Sequence, residues 1–171
     1  MQVKEKFDVD FFKNNSENGK HEYKLDDGSL IIDFGGVLVG EGDYLRVKSS
    51  KTSHLNEVFR FYPNGNLKIY GSQFPNKFNC NIWKYYRKDG SIEKEIDYDK
   101  GYLFSWQDIL DFCKQNDINI NKNSTSIKKE SSVNNPLWII TWSIENAKLK
   151  SVVLDAKTGK IIKEEILKIQ K

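Results

Sequence analysis

Cysteine and histidine are scarce in this chain of 171 residues, which has two of each. Cys80 and Cys113 lie far apart and outside any Cys-x-x-Cys spacing, so they do not make a zinc site. We expect two buried thiols rather than a disulfide, because unpaired cysteine is among the most buried residue types. His21 and His54 lie neither in a metal-binding spacing nor near a candidate nucleophile. The sequence therefore predicts no metal centre and no cofactor.

Long apolar runs are also absent, and no stretch approaches the about 18–20 apolar residues that a membrane-spanning helix needs. Residues 1–7 lack the apolar segment of a secretory signal, which predicts a cytoplasmic protein, or a periplasmic one if a signal peptide was removed. The formal charge is only +3, with lysine and arginine spread along the chain. Nucleic-acid-binding proteins concentrate such residues on one face. We therefore expect neither a membrane span nor a nucleic-acid partner.

The glycine-rich segments of the chain do not form a nucleotide-binding motif. Gly35-Gly36 and Gly40–Gly42 interrupt a strand pattern, but no Lys-Ser or Lys-Thr of a phosphate-binding loop follows them. Such glycines are typical of a bulge or a tight turn. Lys48–Ser53 then reads as a polar connector.

What the chain does contain is a short pattern that occurs twice between Phe59 and Gly101. Each copy has an aromatic pair, an Asn-Gly or Asp-Gly corner and an aliphatic return strand, over Phe61–Leu67 and over Tyr85–Ile92. This order is typical of a β-hairpin. Tyr23–Ile32 follows the same order and forms a degenerate first copy. The pattern predicts an antiparallel hairpin-repeat sheet over residues 21–101.

The remaining segments predict a helix and a second group of strands. Ser105 and Asp108 form a capping pair ahead of an amphipathic helix over Trp106–Gln115. Residues 119–135 read as a linker or exposed loop with a possible short strand at 126–128, and strands 137–144, 150–154 and 161–162 then form a meander. We expect a β-rich α+β fold with an N-terminal segment (1–20), the repeat sheet (21–101) and a helix plus meander (102–171). For residues 8–12, a helical turn and an edge strand both remain open.

Three-residue corners at Gly65 and Gly90 define an expected register. Phe61 then faces Leu67, Phe59 faces Ile69, Tyr86 faces Ile92 and Ile82 faces Ile96. Regular alternation leaves a mixed aromatic and acidic surface on the other side of the second hairpin, consisting of Trp83, Tyr85, Arg87, Glu93, Glu95, Asp97 and Asp99. This surface is either a solvated face whose charges prevent edge aggregation or a binding site for a basic partner, since Trp, Tyr and Arg are frequent interface anchors.

The tandem copies resemble the MORN-like repeats of bacterial antitoxin and immunity proteins. The resemblance lies in residues 83–92 with Tyr98–Gly101, and in Phe61–Leu67 with Tyr70-Gly71. It implies short hairpins stacked side by side, no catalysis, and pairing with a toxin. Residues 138–160, with the corner Asp155–Lys160, are similar to the closing strands of PepSY-like domains, which implies a small sheet on a helix and a link to protease inhibition or chaperoning.

The sequence thus favours a non-enzymatic immunity protein that neutralises a cognate toxin or secretion-system effector by occluding it. Two alternatives stay open. A PepSY-like protease inhibitor or secretion chaperone would bind through the C-terminal segment. A cell-wall-acting enzyme would need a cleft with a convergent acid or nucleophile.

Overall fold

The computed structural model describes residues 5–40, 42–74, 78–132, 135–145 and 148–168. Within these ranges the chain forms eleven strands and two α-helices, which confirms the predicted β-rich α+β class. The chain divides into two compact units, residues 1–98 and residues 99–171. No helix in the described ranges has the length and apolar character needed to span a membrane.

The first unit is a seven-stranded antiparallel sheet in which each strand pairs with the next along the chain. A short helix precedes the sheet, and one turn of 3-10 helix, Gly36–Leu38, lies between its second and third strands. The elements are α1 (Val9–Asn15), β1 (Lys20–Lys24), β2 (Leu30–Gly35), β3 (Tyr44–Ser49), β4 (Asn56–Phe61), β5 (Leu67–Phe74), β6 (Phe78–Tyr86) and β7 (Ile92–Asp97).

Three glycine corners in this sheet share one geometry, as the repeated pattern predicts. Gly28, Gly65 and Gly90 have φ values of 77°, 81° and 86°, a left-handed conformation that suits glycine. In each corner the glycine N–H donates to the carbonyl three residues earlier, over 2.9 Å. The residue before each glycine is Asp or Asn, and its side-chain oxygen accepts a hydrogen bond from the N–H of the residue that follows the glycine, as Asp89 does from Ser91. The Asn-Gly and Asp-Gly pairs therefore encode three equivalent hairpins.

An aromatic cluster forms the core of the first unit. Phe7 and Phe12 come from the N-terminal segment, and they join side chains from four strands. Phe7 stacks on Tyr44 with the ring centroids 4.6 Å apart, and Phe12 meets the same ring edge-on at 5.5 Å. The cluster consists of Phe7, Phe12, Phe59, Phe61, Leu67 and Tyr86, with Val9, Tyr44 and Tyr70 packed against it. The N-terminal segment is thus part of the core.

Residues 8–12 resolve as the start of a helix rather than an edge strand. Asp8 is the N-cap of α1, and its side chain accepts from the Phe11 N–H over 2.9 Å. The prediction that Lys48–Ser53 is a connector throughout is wrong, because Lys48 and Ser49 pair with β4 as the end of β3.

The second unit is a four-stranded antiparallel sheet with one helix. Its elements are α2 (Trp106–Gln115), β8 (Ser126–Ser132), β9 (Asn135–Ile144), β10 (Lys148–Asp155) and β11 (Ile161–Lys168), in the spatial order β11-β10-β9-β8. The predicted helix bounds and capping box are confirmed. The possible short strand at 126–128 is present but longer than expected, because β8 continues to Ser132.

Tryptophan and aliphatic side chains fill the core of this second unit. Trp138 has no exposed surface, and its indole N–H donates to the Phe104 carbonyl over 2.8 Å. Tyr102 and Trp106 contact the same indole at centroid distances of 5.2 and 6.3 Å. Ile109 from α2 is also fully buried.

Both cysteines are buried and unbridged, as expected. Burial raises the pKa of the Cys113 thiol to about 11. The neutral thiol is therefore the form that the folded second unit favours.

Candidate protein-binding surface

The β4–β5 and β6–β7 hairpins have the same irregularity in strand pairing just after the glycine corner. Phe61 pairs with Leu67 as predicted, but Arg60 then pairs with Ile69, so Lys68 is an extra residue. In the second hairpin Tyr86 pairs with Ile92 as predicted, but Tyr85 pairs with Lys94, so Glu93 is extra. Each return strand therefore carries a β-bulge one residue beyond its first aliphatic side chain.

The bulge overturns the predicted register beyond each corner. Phe59 pairs with Tyr70 rather than Ile69, and Ile82 pairs with Asp97 rather than Ile96. One extra residue shifts the remainder of a strand by one position, and this exchanges its two faces.

The predicted mixed surface is consequently divided between two faces of the sheet. Trp83 pairs with Ile96, and Lys84 pairs with Glu95. Since directly paired residues share a face and successive residues alternate, Trp83 and Glu95 point to opposite sides. The prediction that Trp83 and Tyr85 share a face with Glu95 and Asp97 is wrong.

On the first of these faces Trp83 has a structural role. Its side chain is 8% exposed, and its indole N–H donates to the Ser72 carbonyl over 3.0 Å. The ring lies where a side chain on Gly71 would be, because a Cβ there would come within 2.2 Å of the indole. Tyr98 meets it edge-on at 5.8 Å. Trp83 is therefore part of the packing of the sheet and not an exposed anchor.

Tyr85 lies on the same face as Trp83 and is half-buried. Burial raises its pKa, and a hydrogen bond with Tyr98 raises it further. The ammonium of Lys94 lies 4.4 Å from the centre of the Tyr85 ring. This side of the hairpin thus presents rings and a lysine in place of the expected carboxylates.

The opposite side of the hairpin combines carboxylates with exposed isoleucines. Ile82 and Ile92 are 48% and 43% exposed, and Asp97 is exposed as well. Lys84 and Glu95 form an ion pair across the two strands, with 3.1 Å between Nζ and Oε1. We call this surface the acidic hairpin face; it consists of Ile82, Lys84, Ile92, Glu95 and Asp97, with the exposed Glu93 at the bulge.

The acidic hairpin face lies at an edge of the seven-stranded sheet. β7 is the last strand in the sheet order, and within the described ranges β6 is its only partner. All of its residues except Ile96 are exposed. Its charges are Glu93, Lys94, Glu95 and Asp97, a net charge of −2. The unpaired backbone groups of an edge strand can bind another chain, and the charges on β7 restrict that pairing to a partner of complementary charge.

The other two predicted site residues are not part of this face. Asp99 follows β7 in a turn and belongs to the second unit, where it pairs with Lys129. Arg87 is exposed at the glycine corner, and one of its guanidinium N–H groups donates to the Ile92 carbonyl over 3.2 Å. Arg87 therefore borders the acidic hairpin face, while Asp99 does not belong to it.

The buried carboxylates of the first unit are engaged by cations. Asp33 is 1% exposed and accepts two hydrogen bonds from Arg46, at 2.8 and 2.9 Å. Asp43 is 2% exposed and accepts from Arg60 and Lys68, at 2.8 and 2.7 Å. Hydrogen-bonded cations of this kind offset the cost of removing a carboxylate from water. These groups act as structural ion pairs.

In the described part of the chain, no group of three or more His, Cys, Asp or Glu side chains is placed to hold a metal ion. Comparison with protein-family models and with curated proteins finds no match to this chain. The functional argument therefore rests on the geometry of the surface.

Proposed function

We propose that this chain is a non-enzymatic protein-binding protein of the immunity type, which neutralises a toxin or secretion-system effector by covering it with the acidic hairpin face. The observation that carries the proposal is a pair of exposed isoleucines, Ile82 on β6 and Ile92 on the edge strand β7, beside Glu95 and Asp97 of β7. Exposed apolar side chains that lie together at a sheet edge and are surrounded by polar groups are typical of a protein–protein contact.

The mechanism is steric and electrostatic. Burial of Ile82 and Ile92 against the partner supplies the hydrophobic contribution, on the order of 25 cal/mol per Å² of apolar area removed from water. The carboxylates of Glu93, Glu95 and Asp97 attract a basic surface and speed the encounter, an effect that weakens as salt is added. The partner is therefore expected to present lysine or arginine around an apolar patch.

The resemblance of the corners to MORN-like repeats supports this function. Three equivalent glycine corners, in the β1–β2, β4–β5 and β6–β7 hairpins, fit the side-by-side hairpins which that resemblance implies. In such a sheet the repeats provide a stable frame, and the last hairpin supplies β7, which has no second partner strand among the described residues.

The decisive experiment measures the affinity of the full-length chain for the toxin encoded by the adjacent gene. The double substitution E93K/E95K should weaken binding at least about tenfold at low salt, because attraction becomes repulsion. I82S/I92S should also weaken it about tenfold or more, with little change in salt dependence. The matched control is E22K/D26K, which makes the same change in net charge at exposed positions near the opposite edge of the sheet.

Binding that is unaffected by E93K/E95K and by I82S/I92S would remove the acidic hairpin face from the account. An equal loss in the E22K/D26K control would show that overall charge, rather than this face, governs the affinity. Circular dichroism of each variant confirms that the sheet is intact.

A PepSY-like inhibitor is the second candidate function, and the architecture of the second unit favours it. Trp106 of α2 packs on Trp138 of a four-stranded antiparallel sheet. Under this alternative the full-length chain slows purified proteases of one mechanistic class, and E93K/E95K leaves the inhibition unchanged. Absence of inhibition across serine, cysteine and metalloproteases would rule it out.

A further inference from the structure

The last strand of the second unit exposes an unusual amount of apolar surface. Ile161, Ile162, Ile166 and Leu167 are 53%, 56%, 60% and 42% exposed, all within one strand. β11 is an edge strand: it pairs with β10, and among the described residues no strand lies on its other side. Edge strands of natural proteins normally avoid such exposure, because their open backbone groups invite pairing.

The sequence of β11 is complementary to itself when it runs antiparallel about Glu164. In that register Ile162 lies opposite Ile166 of a second copy, and the two-fold axis makes this pair occur twice. Ile161 lies beyond a bulge at Ile162, because Val153 pairs with Lys163 but Leu154 pairs with Ile161, and it takes no part in the pairing. Lys163 lies opposite Glu165, so the cation of each copy meets the anion of the other. Aliphatic and opposite-charge pairs are the cross-strand combinations that stabilise a sheet.

Glu164 is the one residue that meets its own copy, and its charge is compensated within the chain. The Lys150 ammonium on β10 lies 2.8 Å from the Glu164 carboxylate. Each copy therefore brings a neutralised pair to the symmetry axis instead of a bare carboxylate.

Neighbouring registers are worse. Pairing about Lys163 sets the two copies of Lys163 against each other and Ile162 against Glu164. Pairing about Glu165 sets Lys163 against Leu167 and Glu164 against Ile166. The charges at the centre of β11 thus select one register and resist unrelated strands.

We propose that β11 is a homodimer interface, in which two copies of the chain join their four-stranded sheets edge to edge about a two-fold axis at Glu164. The result is one continuous eight-stranded antiparallel sheet. The arrangement closes on itself, because β8, at the other edge of the four-stranded sheet, plays no part in it. A contact made by one strand is small, so the dimer is expected to be weak and concentration-dependent.

The test is sedimentation velocity of the full-length protein from about 1 µM to about 200 µM, the range that covers weak association. The unchanged protein should shift from monomer to dimer as the concentration rises. K163E places two glutamates opposite each other at both symmetric positions, and E165K does the same with lysines. Each single reversal should raise the dimer dissociation constant at least about tenfold.

The double reversal K163E/E165K restores opposite charges in the same register and should return the dissociation constant to within about threefold of the original value. It also restores the ion pair between Lys163 and Glu165 within one strand, which measures 2.7 Å. The matched control is K24E, a charge reversal on β1, an edge strand of the other sheet, and it should leave the dimer unchanged.

A monomer at every concentration would overturn the proposal. So would a dimer that both single reversals leave intact, or one that the double reversal fails to restore while its circular dichroism is unchanged. The outcome is independent of the toxin-binding proposal, which concerns the other unit and a different strand.

Discussion

The two sheets share a topology and differ in their edges. Both are antiparallel with sequential strands as neighbours, yet β7 closes the first sheet with a net charge of −2 and β11 closes the second with four exposed aliphatic side chains. On β7 the carboxylates outnumber the single lysine. On β11 two lysines and two glutamates balance. An edge strand with a net negative charge suits a positively charged partner. An edge strand whose charges balance and complement one another suits a second copy of itself.

The sheets also differ in how they are covered. The first uses rings from its own strands together with Phe7 and Phe12 of the N-terminal segment. The second uses a longer helix, α2, with a complete capping box. The first sheet therefore depends on a segment that contributes few residues, while the second depends on a ten-residue helix. Substitutions in each covering element test this difference.

The largest expected effects come from truncating the covering side chains. Phe12 and Ile109 are 4% and 0% exposed. F12A should lower the free energy of unfolding by about 3–5 kcal/mol and I109A by about 2–5 kcal/mol, through lost burial and a residual cavity. Urea denaturation measures both. A cost below about 1 kcal/mol for F12A would show that the first sheet does not need α1.

A second, smaller effect separates two corners that have the same backbone geometry. A Cβ on Gly65 would lie 2.5 Å from the Phe7 carbonyl oxygen, whereas a Cβ on Gly90 would have no neighbour within 4 Å among the described residues. G90A should cost about 1 kcal/mol from the left-handed conformation alone. G65A should cost about 2–4 kcal/mol, because the clash adds to that strain. Equal costs in thermal or urea unfolding would contradict the described packing of the N-terminal segment on the corner.

The helix cap in the second unit carries a further effect of about 1 kcal/mol. S105A removes the side chain that accepts from the Asp108 N–H, and loss of such an N-cap typically costs that amount. Urea unfolding at neutral pH measures the loss. A cost indistinguishable from zero would show that α2 does not depend on its cap.

The same cap predicts a dependence on pH. Hydrogen bonds from Ser105 lower the pKa of Asp108 below its ordinary value near 3.8. A lowered pKa stabilises the fold above the ordinary value, and this contribution is lost as pH falls through the folded-state pKa. The stability difference between D108N and the unchanged protein should therefore narrow below about pH 4. A difference that is constant from pH 7 to pH 3 would contradict this.

The last expected effect concerns the buried thiol of the second unit, and it appears only in alkaline solution. The pKa of Cys113 is raised to about 11 from an ordinary value of 9.0. A raised pKa means that stability is fully present below the ordinary value and declines as pH rises between the two values. C113A should therefore show a shallower loss of unfolding free energy from pH 9 to pH 11 than the unchanged protein. Identical slopes would show that the thiol does not contribute.

The sequence contained enough information to place the corners and the second helix. Asn64-Gly65 and Asp89-Gly90 specify turns through local backbone preferences, and Ser105 with Asp108 specifies a helix start in the same way. These features depend on residues within a few positions of one another. Local chemistry therefore sufficed for them.

The composition of the site could not be derived in the same way. The bulges at Lys68 and Glu93 leave no residue signature, yet each exchanges the faces of the strand beyond it. The bulge at Glu93 is the reason that the predicted register gives Ile82 the wrong partner. The burial of Trp83 has a separate cause, the absence of a side chain on Gly71. One signal was available: Gly71 lies on the strand beside Trp83, and a glycine within a strand often marks the close approach of a bulky neighbour.

Hydrogen exchange of the full-length protein at about 1 µM and about 100 µM tests the contrast between the two edges directly, since these concentrations bracket weak self-association. The account predicts that amides of β11, Ile161–Lys168, gain protection at the higher concentration, while amides of β7, Ile92–Asp97, exchange at the same rate in both samples. Protection gained by β7, or by neither strand, would contradict the assignment of one edge to a foreign partner and the other to a second copy.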